Sequence, residues 1–238
     1  MRVVVTRPQA DGERTAASLR ARGHEVLVAP LMRIEPASVD LHGGWGGVII
    51  TSANAALAIA DNPARETLRK LPVFAVGRRS AEAARQAGFA DVAAAAGGDV
   101  RDLVRLIAER RADAAAPLLY LAGEDRAADL VAELIVHGIA AEMVVVYRAV
   151  AVPFPPELTA ALKAGNVDAV LHFSKRSAEA YLAGAAQAGV RRQALAVRHV
   201  CLSAQVAAPL EHASASHISV APLPDEAALI GSLEPPQA

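Results

Sequence analysis

Short runs of apolar and β-branched residues alternate along the chain with alanine-rich segments of helical pattern, and Gly, Ser or Asp stands at most of the joints. The first strand is predicted at Val3 to Val5, followed by a helix over Asp11 to Arg22 that Gly23 terminates, and by a second strand from Glu25 to Pro30. Uniformly apolar strands that alternate with helices are typical of parallel sheets covered on both faces. The alternation therefore predicts an α/β fold with parallel sheets.

Further strands that run directly into helices follow the first unit. They are predicted at Val48 to Ser52, Val73 to Gly77, Leu118 to Gly123, Ala169 to Ser174 and His199 to Ser203. Asp99 and Asp225 are predicted N-caps of two more helices, because an aspartate side chain can accept a hydrogen bond from the free amides of a first turn.

Two stretches of the chain repeat this pattern in the same order, at a nearly constant offset. The helix that ends at Gly23 corresponds to a helix over Asp125 to His137 that ends at Gly138. Three further pairs follow in register, namely Ser52 with Ser174, Gly77 with Ser203, and Asp99 with Asp225. The repetition indicates two copies of one α/β unit and hence two similar lobes, with a chance alignment of two such patterns as the alternative.

Composition restricts the kinds of ligand and the compartment. The 238 residues suffice for two small domains, and a hydrophobic fraction of 53% excludes a disordered chain. The formal net charge of -1 excludes an overall positive charge that would attract nucleic acid or an anionic membrane. An anionic ligand must therefore be bound locally. Cys201 is the single cysteine, which excludes disulfides, and the opening residues lack a signal-peptide pattern. We expect a cytoplasmic protein without a membrane span.

Several types of catalytic site lack their sequence motif. No glycine-rich dinucleotide motif follows a strand, no P-loop occurs, and the histidines lack the spacing of a zinc pair on a helix. The nucleophile elbow of serine hydrolases is also missing. We expect neither a metal nor a cofactor.

The joints between strands and helices are the candidate binding positions, because parallel α/β sheets bind ligands beyond the carboxyl ends of their strands, where helix amides point outward. Arg or Lys occurs at four of the five joints that begin at Thr6, Thr51, Gly77, Gly123 and Ser174, which favours an anion site in a cleft between the lobes. The alternative is that Ser52 and Ser174 are ordinary N-caps and that the arginines are solvated. The candidate binding residues are Arg7, Ser52, Asn54, Gly77, Arg78, Ser80, Gly123, Arg126, Ser174, Lys175 and Arg176.

Tyr147 is the candidate catalytic residue. It is predicted to lie at the end of the most apolar strand, Met143 to Arg148, and its phenol can donate a proton to a departing hydroxyl group. The alternative is a tyrosine that only packs in the core.

Taken together, the order of these motifs resembles the uroporphyrinogen-III synthase family. The resemblance is carried by Val3 to Pro8, Ile49 to Ala55, Phe74 to Gly77, Leu121 to Gly123 and Val146 to Arg148. It implies two flavodoxin-like lobes with parallel sheets, joined by a two-stranded linker. Residues 1–36 and 149–238 would form the first lobe, and residues 37–148 the second with the linker strands.

The resemblance also implies an activity, the closure of hydroxymethylbilane to uroporphyrinogen III with inversion of ring D and loss of water, without a cofactor. The substrate is a linear tetrapyrrole with eight carboxylates. Tyr147 would be the proton donor, and Ser52, Gly77, Ser80, Gly123 and Ser174 would contact carboxylates. We also expect a monomer, with a transient contact to hydroxymethylbilane synthase.

Two stretches depart from the family pattern. Cys201 to Val206 replaces a segment with a characteristic glycine and threonine, and Phe173 to Ser177 gains two cations, Lys175 and Arg176. The competing function is a non-catalytic, two-lobed binding or sensory protein for a small polycarboxylate.

Overall fold

The structure, a computed structural model, describes residues 1–110, 116–125 and 129–233. The chain divides into two compact units, Met1–Arg33 with Val150–Ala238, and Ile34–Ala149. It passes from the first unit to the second within strand β3 (Met32–Pro36) and returns within strand β8 (Ala141–Ala151).

The first unit contains a sheet of five parallel strands in the order β11-β10-β9-β1-β2. Its strands are β1 (Arg2–Val5), β2 (Glu25–Val28), β9 (Ala169–His172), β10 (Arg198–Cys201) and β11 (His217–Val220). Its helices are α1 (Gln9–Arg20), α7 (Pro156–Lys163), α8 (Lys175–Gln187), α9 (Arg191–Ala196), α10 (Ala204–His212) and α11 (Glu226–Gly231).

The sheet of the second unit has the order β3-β8-β7-β4-β5-β6, and the strands from β8 to β6 are parallel. Its remaining strands are β4 (Gly47–Ile50), β5 (Val73–Ala75), β6 (Val92–Ala94) and β7 (Leu118–Gly123). Its helices are α2 (Ala53–Ala58), α3 (Arg65–Leu68), α4 (Arg78–Gln86), α5 (Val100–Arg110) and α6 (Leu130–Val136). The backbone bonds from Ala37 to Val146 and from Val152 to Leu31 show that β3 runs antiparallel to β8.

The two sheets share one spatial order. In the second sheet, β7 and β8 correspond in position to β1 and β2 of the first sheet. Strands β4, β5 and β6 correspond in the same way to β9, β10 and β11. The order is that of flavodoxin-like folds. The predicted α/β fold with two similar units is therefore confirmed. In each sheet the direction of chain progression reverses at one point, which lies between β1 and β9 in the first unit and between β4 and β7 in the second.

Both faces of each sheet are buried, which explains the continuous apolar runs in the sequence. Successive residues of β1 belong to different clusters: Val4 packs with Tyr181 on one face, and Val3 and Val5 pack with Leu19 on the other. All three valines are at most 1% exposed.

The predicted helix ends are partly right. Asp99 accepts a hydrogen bond from the amide of Asp102, and Asp225 accepts one from that of Ala228, so both predicted caps are confirmed. Gly23 and Gly138 have φ angles of 81° and 71°, as a helix terminator requires.

Three predicted boundaries are wrong. Helix α6 begins at Leu130 rather than at Asp125, because Asp129 is its N-cap and accepts a hydrogen bond from the amide of Ala132. Helix α1 begins after Pro8, which cannot donate a backbone bond but starts a helix well. Tyr147 lies inside β8 and not at its end, because pairing with β3 extends that strand to Ala151.

Candidate functional site

Three candidate residues lie side by side at the carboxyl edge of the second sheet, the edge where its parallel strands end. Ile50 pairs with Leu121, and Gly123 pairs with Tyr147. Ser52 follows β4 by two residues and has extended dihedrals, with φ −142° and ψ 141°. The sheet register therefore places Tyr147 beside Gly123 at the end of β7, and Ser52 follows the neighbouring strand β4.

A β-bulge aims the side chain of Tyr147. Ala122 pairs with Val145 but Gly123 pairs with Tyr147, so Val146 is an extra residue in β8. Successive side chains of a regular strand point to opposite faces, yet Val146 and Tyr147 both pack against the core cluster of Leu121. Bulges of this kind re-aim side chains and are frequent beside active sites. Here the bulge places the Tyr147 ring over Gly123.

Helix α4 begins at the same edge without a side-chain cap. Its N-cap, Gly77, is extended, with φ −172° and ψ 176°, and makes no side-chain cap bond. Gly77 has no side chain to cap the first turn, and the positive end of the helix dipole favours an anion there. Arg78 is exposed beside this turn, and Ser80 is buried within it.

Gly77 is not required by the fold. Its φ angle suits any residue, and a β-carbon built there would lie 3.6 Å from the Cα of Gly98, an ordinary van der Waals distance. Neither the backbone angles nor the packing require glycine at position 77. A glycine at the start of a helix lets a ligand come close to the backbone amides.

Ser52 is an N-cap, as the alternative interpretation expected. Its Oγ accepts a hydrogen bond of 3.2 Å from the amide of Asn54, the second residue of α2. Both residues are partly buried. An N-cap serine accepts through one lone pair, so its hydroxyl proton can still be donated to an anion.

At the carboxyl edge of the first sheet, the Arg7 guanidinium is bound within the protein. It lies 3.0 Å from the Glu226 carboxylate and 3.6 Å from that of Asp11, and it donates to Thr15 Oγ1 at 3.1 Å. Its Cζ stacks 4.2 Å from the centre of the Phe173 ring. The side chain is 13% exposed. Arg7 therefore joins the end of β1 to the starts of α8 and α11, and its contact with substrate stays a prediction.

Ser174 caps helix α8 with a closed set of hydrogen bonds. Its Oγ accepts from the Ser177 amide and donates to Ser177 Oγ, which in turn donates to the Ser174 carbonyl. Lys175 is exposed and lies 3.9 Å from Glu179, a weak surface pair. Arg176 is partly buried in the same first turn. Ser174, Lys175 and Arg176 thus place a capping hydroxyl and two positive charges together at the start of α8.

Two features of the edges were not predicted from the sequence. Ser203 begins α10 in extended conformation without a side-chain cap, as Gly77 begins α4. The hydroxyls of Thr51 and Tyr120 lie 2.9 Å apart across β4 and β7. The sequence matches Ser203 with Gly77 but does not include Ser203 among the candidate binding residues, whereas the second feature requires the strand order.

A buried pair of histidines lies beneath the edge of the first sheet. His172 Nε2 and His199 Nδ1 are 3.1 Å apart, and both side chains are fully buried. Burial lowers the pKa of His199 to about 4, and burial together with the neighbouring His199 holds the pKa of His172 well below its ordinary value. Both rings are neutral at neutral pH and add no positive charge to the edge.

The candidate Arg126 lies outside the described residues. Among residues 1–110, 116–125 and 129–233, no group of three or more His, Cys, Asp and Glu side chains is placed to hold a metal ion. Within the same ranges, no helix has the length and apolar character needed to cross a bilayer.

Comparison with known proteins gives one family. The family model of uroporphyrinogen-III synthase HemD matches residues 13–231. The fold is similar to that of uroporphyrinogen-III synthetase from Helicobacter pylori, with a TM-score of 0.66 and 19% identity over 98% of this chain and 100% of that chain. A mutant uroporphyrinogen III synthase from the extremely thermophilic bacterium Thermus thermophilus gives a TM-score of 0.51 and 19% identity over 98% and 97%. No curated protein sequence matches the chain.

Proposed function

The chain belongs to the uroporphyrinogen-III synthase family, and on this premise we propose that the carboxyl edges of both sheets bind the carboxylates of hydroxymethylbilane. The reaction is the closure of this linear tetrapyrrole to uroporphyrinogen III, with inversion of ring D and loss of water. The enzyme is thus a cyclising hydro-lyase.

The observation that carries the binding proposal is the start of α4. Four features coincide there, namely an uncapped helix of nine residues, a glycine that the fold does not need, an exposed Arg78 and the buried Ser80. A carboxylate at this point would accept hydrogen bonds from the backbone amides and from the arginine. The proposed binding residues are Ser52, Asn54, Gly77, Arg78, Ser80 and Gly123 in the second unit and Ser174, Lys175 and Arg176 in the first.

Tyr147 is proposed as the proton donor. The substrate's hydroxymethyl group loses its hydroxyl as water when a proton is supplied, which leaves an electrophilic azafulvene on that ring. The bulge holds the Tyr147 phenol over Gly123 and beside the adjacent strand ends, where the bound substrate would lie. A phenol O–H in that place can donate to the departing oxygen.

The identity of the product depends on which carbon of the terminal ring attacks the azafulvene. Attack by its substituted carbon gives a spiro intermediate that opens and recloses with the ring inverted, whereas attack by the free carbon gives the unrearranged isomer. Because the two routes differ in the orientation of the bound chain, positioning through the carboxylates controls the outcome more than proton transfer does.

The remaining expectations are proposals of the same kind. Residues 1–36 with 149–238 and residues 37–148 would form the two lobes. The enzyme would act as a cytoplasmic monomer without a cofactor, and it would receive its unstable substrate during a transient contact with hydroxymethylbilane synthase.

An isomer assay tests the activity. Fresh hydroxymethylbilane is incubated with and without the protein, and the oxidised products are separated into type I and type III uroporphyrin. We expect type III to predominate with the protein and type I without it. Binding of uroporphyrinogen with an unchanged isomer ratio would instead support the non-catalytic binding protein.

A further inference from the structure

Two hydroxyl groups meet between the central strands of the second sheet. Tyr120 lies on β7 and is 5% exposed, and its hydroxyl is 2.9 Å from Oγ1 of Thr51, the residue that follows β4. Thr51 is only partly buried. The pair therefore connects the apolar interior of the unit with the carboxyl edge of its sheet.

The direction of this hydrogen bond follows from the surroundings of Tyr120. Its ring belongs to an apolar cluster with Ile49, Phe74 and Leu118. Within the described part of the chain, Thr51 is the one hydrogen-bond partner of the Tyr120 hydroxyl. Because a buried donor is rarely left unpaired, Tyr120 donates and Thr51 accepts. The O–H of Thr51 is then directed away from Tyr120.

The position of the pair is the point where chain progression in the sheet reverses, between β4 and β7. Flavodoxin-like sheets bind their ligands beyond the strand ends at this point. In the first unit the corresponding point, between β1 and β9, is occupied by the stack of Arg7 on Phe173 and its ion pairs. In the second unit the hydroxyl pair occupies it instead.

We propose that Tyr120 is a positioning residue that orients and polarises the Thr51 hydroxyl, which donates a hydrogen bond to a substrate carboxylate. A hydroxyl that already accepts a hydrogen bond is a stronger donor, and a donor of fixed direction loses less entropy on binding. This inference rests on the proposed function, because the carboxylate belongs to hydroxymethylbilane.

The test is a set of five variants, Tyr120→Phe, Thr51→Val, Thr51→Ser, the double variant of the first two, and Tyr181→Phe as the matched control. Tyr181 is also buried, and its hydroxyl donates to the carbonyl of Ala194 at 3.2 Å in the first unit. The control therefore loses the same kind of group without any effect on Thr51. KM, kcat and the type III fraction are measured for each variant, and its melting temperature is recorded.

We expect Tyr120→Phe to raise KM for hydroxymethylbilane about three- to tenfold with kcat almost unchanged, because a contact to a remote carboxylate is similar in the ground and transition states. Thr51→Val should raise KM about tenfold, and the double variant should be no worse. Thr51→Ser should stay near wild type, and Tyr181→Phe should change only the melting temperature.

Three results would overturn the inference. They are an unchanged KM in Tyr120→Phe, effects of Tyr120→Phe and Thr51→Val that multiply in the double variant, or an equal rise in KM for Tyr181→Phe. If Tyr120→Phe does not fold, the comparison of Thr51→Val with Thr51→Ser still decides whether the hydroxyl binds substrate. Wild-type protein that forms no type III product would contradict the proposed function rather than this inference.

Discussion

The Tyr147 ring lies so close over Gly123 that a β-carbon built on the glycine would be 2.6 Å from Cζ and 2.7 Å from the hydroxyl oxygen of the tyrosine. The two residues are paired across β7 and β8, immediately after the extra residue Val146. Glycine at position 123 thus leaves room for the phenol at the edge of the sheet. The position of the Tyr147 phenol, the proposed proton donor, is therefore set by the bulge in β8 and by the glycine at position 123.

Replacing Tyr147 by Phe should lower kcat about 10- to 100-fold while the protein stays folded, because the ring still packs and only the proton donor is lost. Steady-state rates together with the melting temperature measure this effect. Full activity in the folded variant would reduce Tyr147 to a packing residue.

Replacing Gly77 by Ala should raise KM about three- to tenfold with little change in stability. The added methyl group has ordinary contacts within the protein but would stand between a carboxylate and the first-turn amides of α4. Gly44→Ala is the matched control, because a β-carbon there meets nothing within 4 Å and the residue lies outside the proposed site. Equal KM values for the two variants would argue against an anion at α4.

The cations at the two edges should respond differently to substitution. Salt screens an exposed charge that binds a carboxylate, so the KM of the wild type should rise with added salt. Arg78→Gln should raise KM about three- to tenfold and make KM rise less steeply with salt than in the wild type. Arg7→Gln should cost about 2 kcal/mol of unfolding free energy, because Asp11 and Glu226 lose their ion pairs with Arg7, and should keep the salt dependence. Measuring KM between low and high salt separates the two roles, and loss of the salt dependence in Arg7→Gln would reassign Arg7 to substrate binding.

The buried histidines should make stability depend on pH. The pKa of His199 is lowered to about 4 and that of His172 is also lowered, so the unfolded chain binds protons near pH 6.5 that the folded chain does not. The free energy of unfolding should therefore fall as pH falls from about 6.5 towards 4, by about 2 kcal/mol between pH 7 and 5 for His199 alone.

Urea unfolding at pH 7 and pH 5 measures this dependence. His199→Gln should reduce it, whereas the exposed His212→Gln should leave it unchanged. A wild-type stability that does not change between these pH values would show that the pair does not stay neutral in the folded protein.

The sequence alone predicts the alternation of strands and helices, the repetition of the unit and most strand ends, because these depend on local apolar patterns and caps. The bulge at Val146 depends on how β8 pairs with β7, and the pairing of Arg7 with Glu226 joins the two ends of the chain. The bond from Tyr120 to Thr51 requires that β4 and β7 be neighbours. Neither pairing register nor strand order is contained in a local pattern, so these features of the site required the structure.

Backbone amide chemical shifts during an anaerobic titration with uroporphyrinogen III test the binding of carboxylates at the sheet edges most directly. The largest changes should occur at the start of α4, Gly77 to Ser80, and at Gly123, with smaller changes at the start of α8. Amides in the middle of the strands should change little. Saturable binding that leaves residues 77–80 and 123 unperturbed would contradict the account.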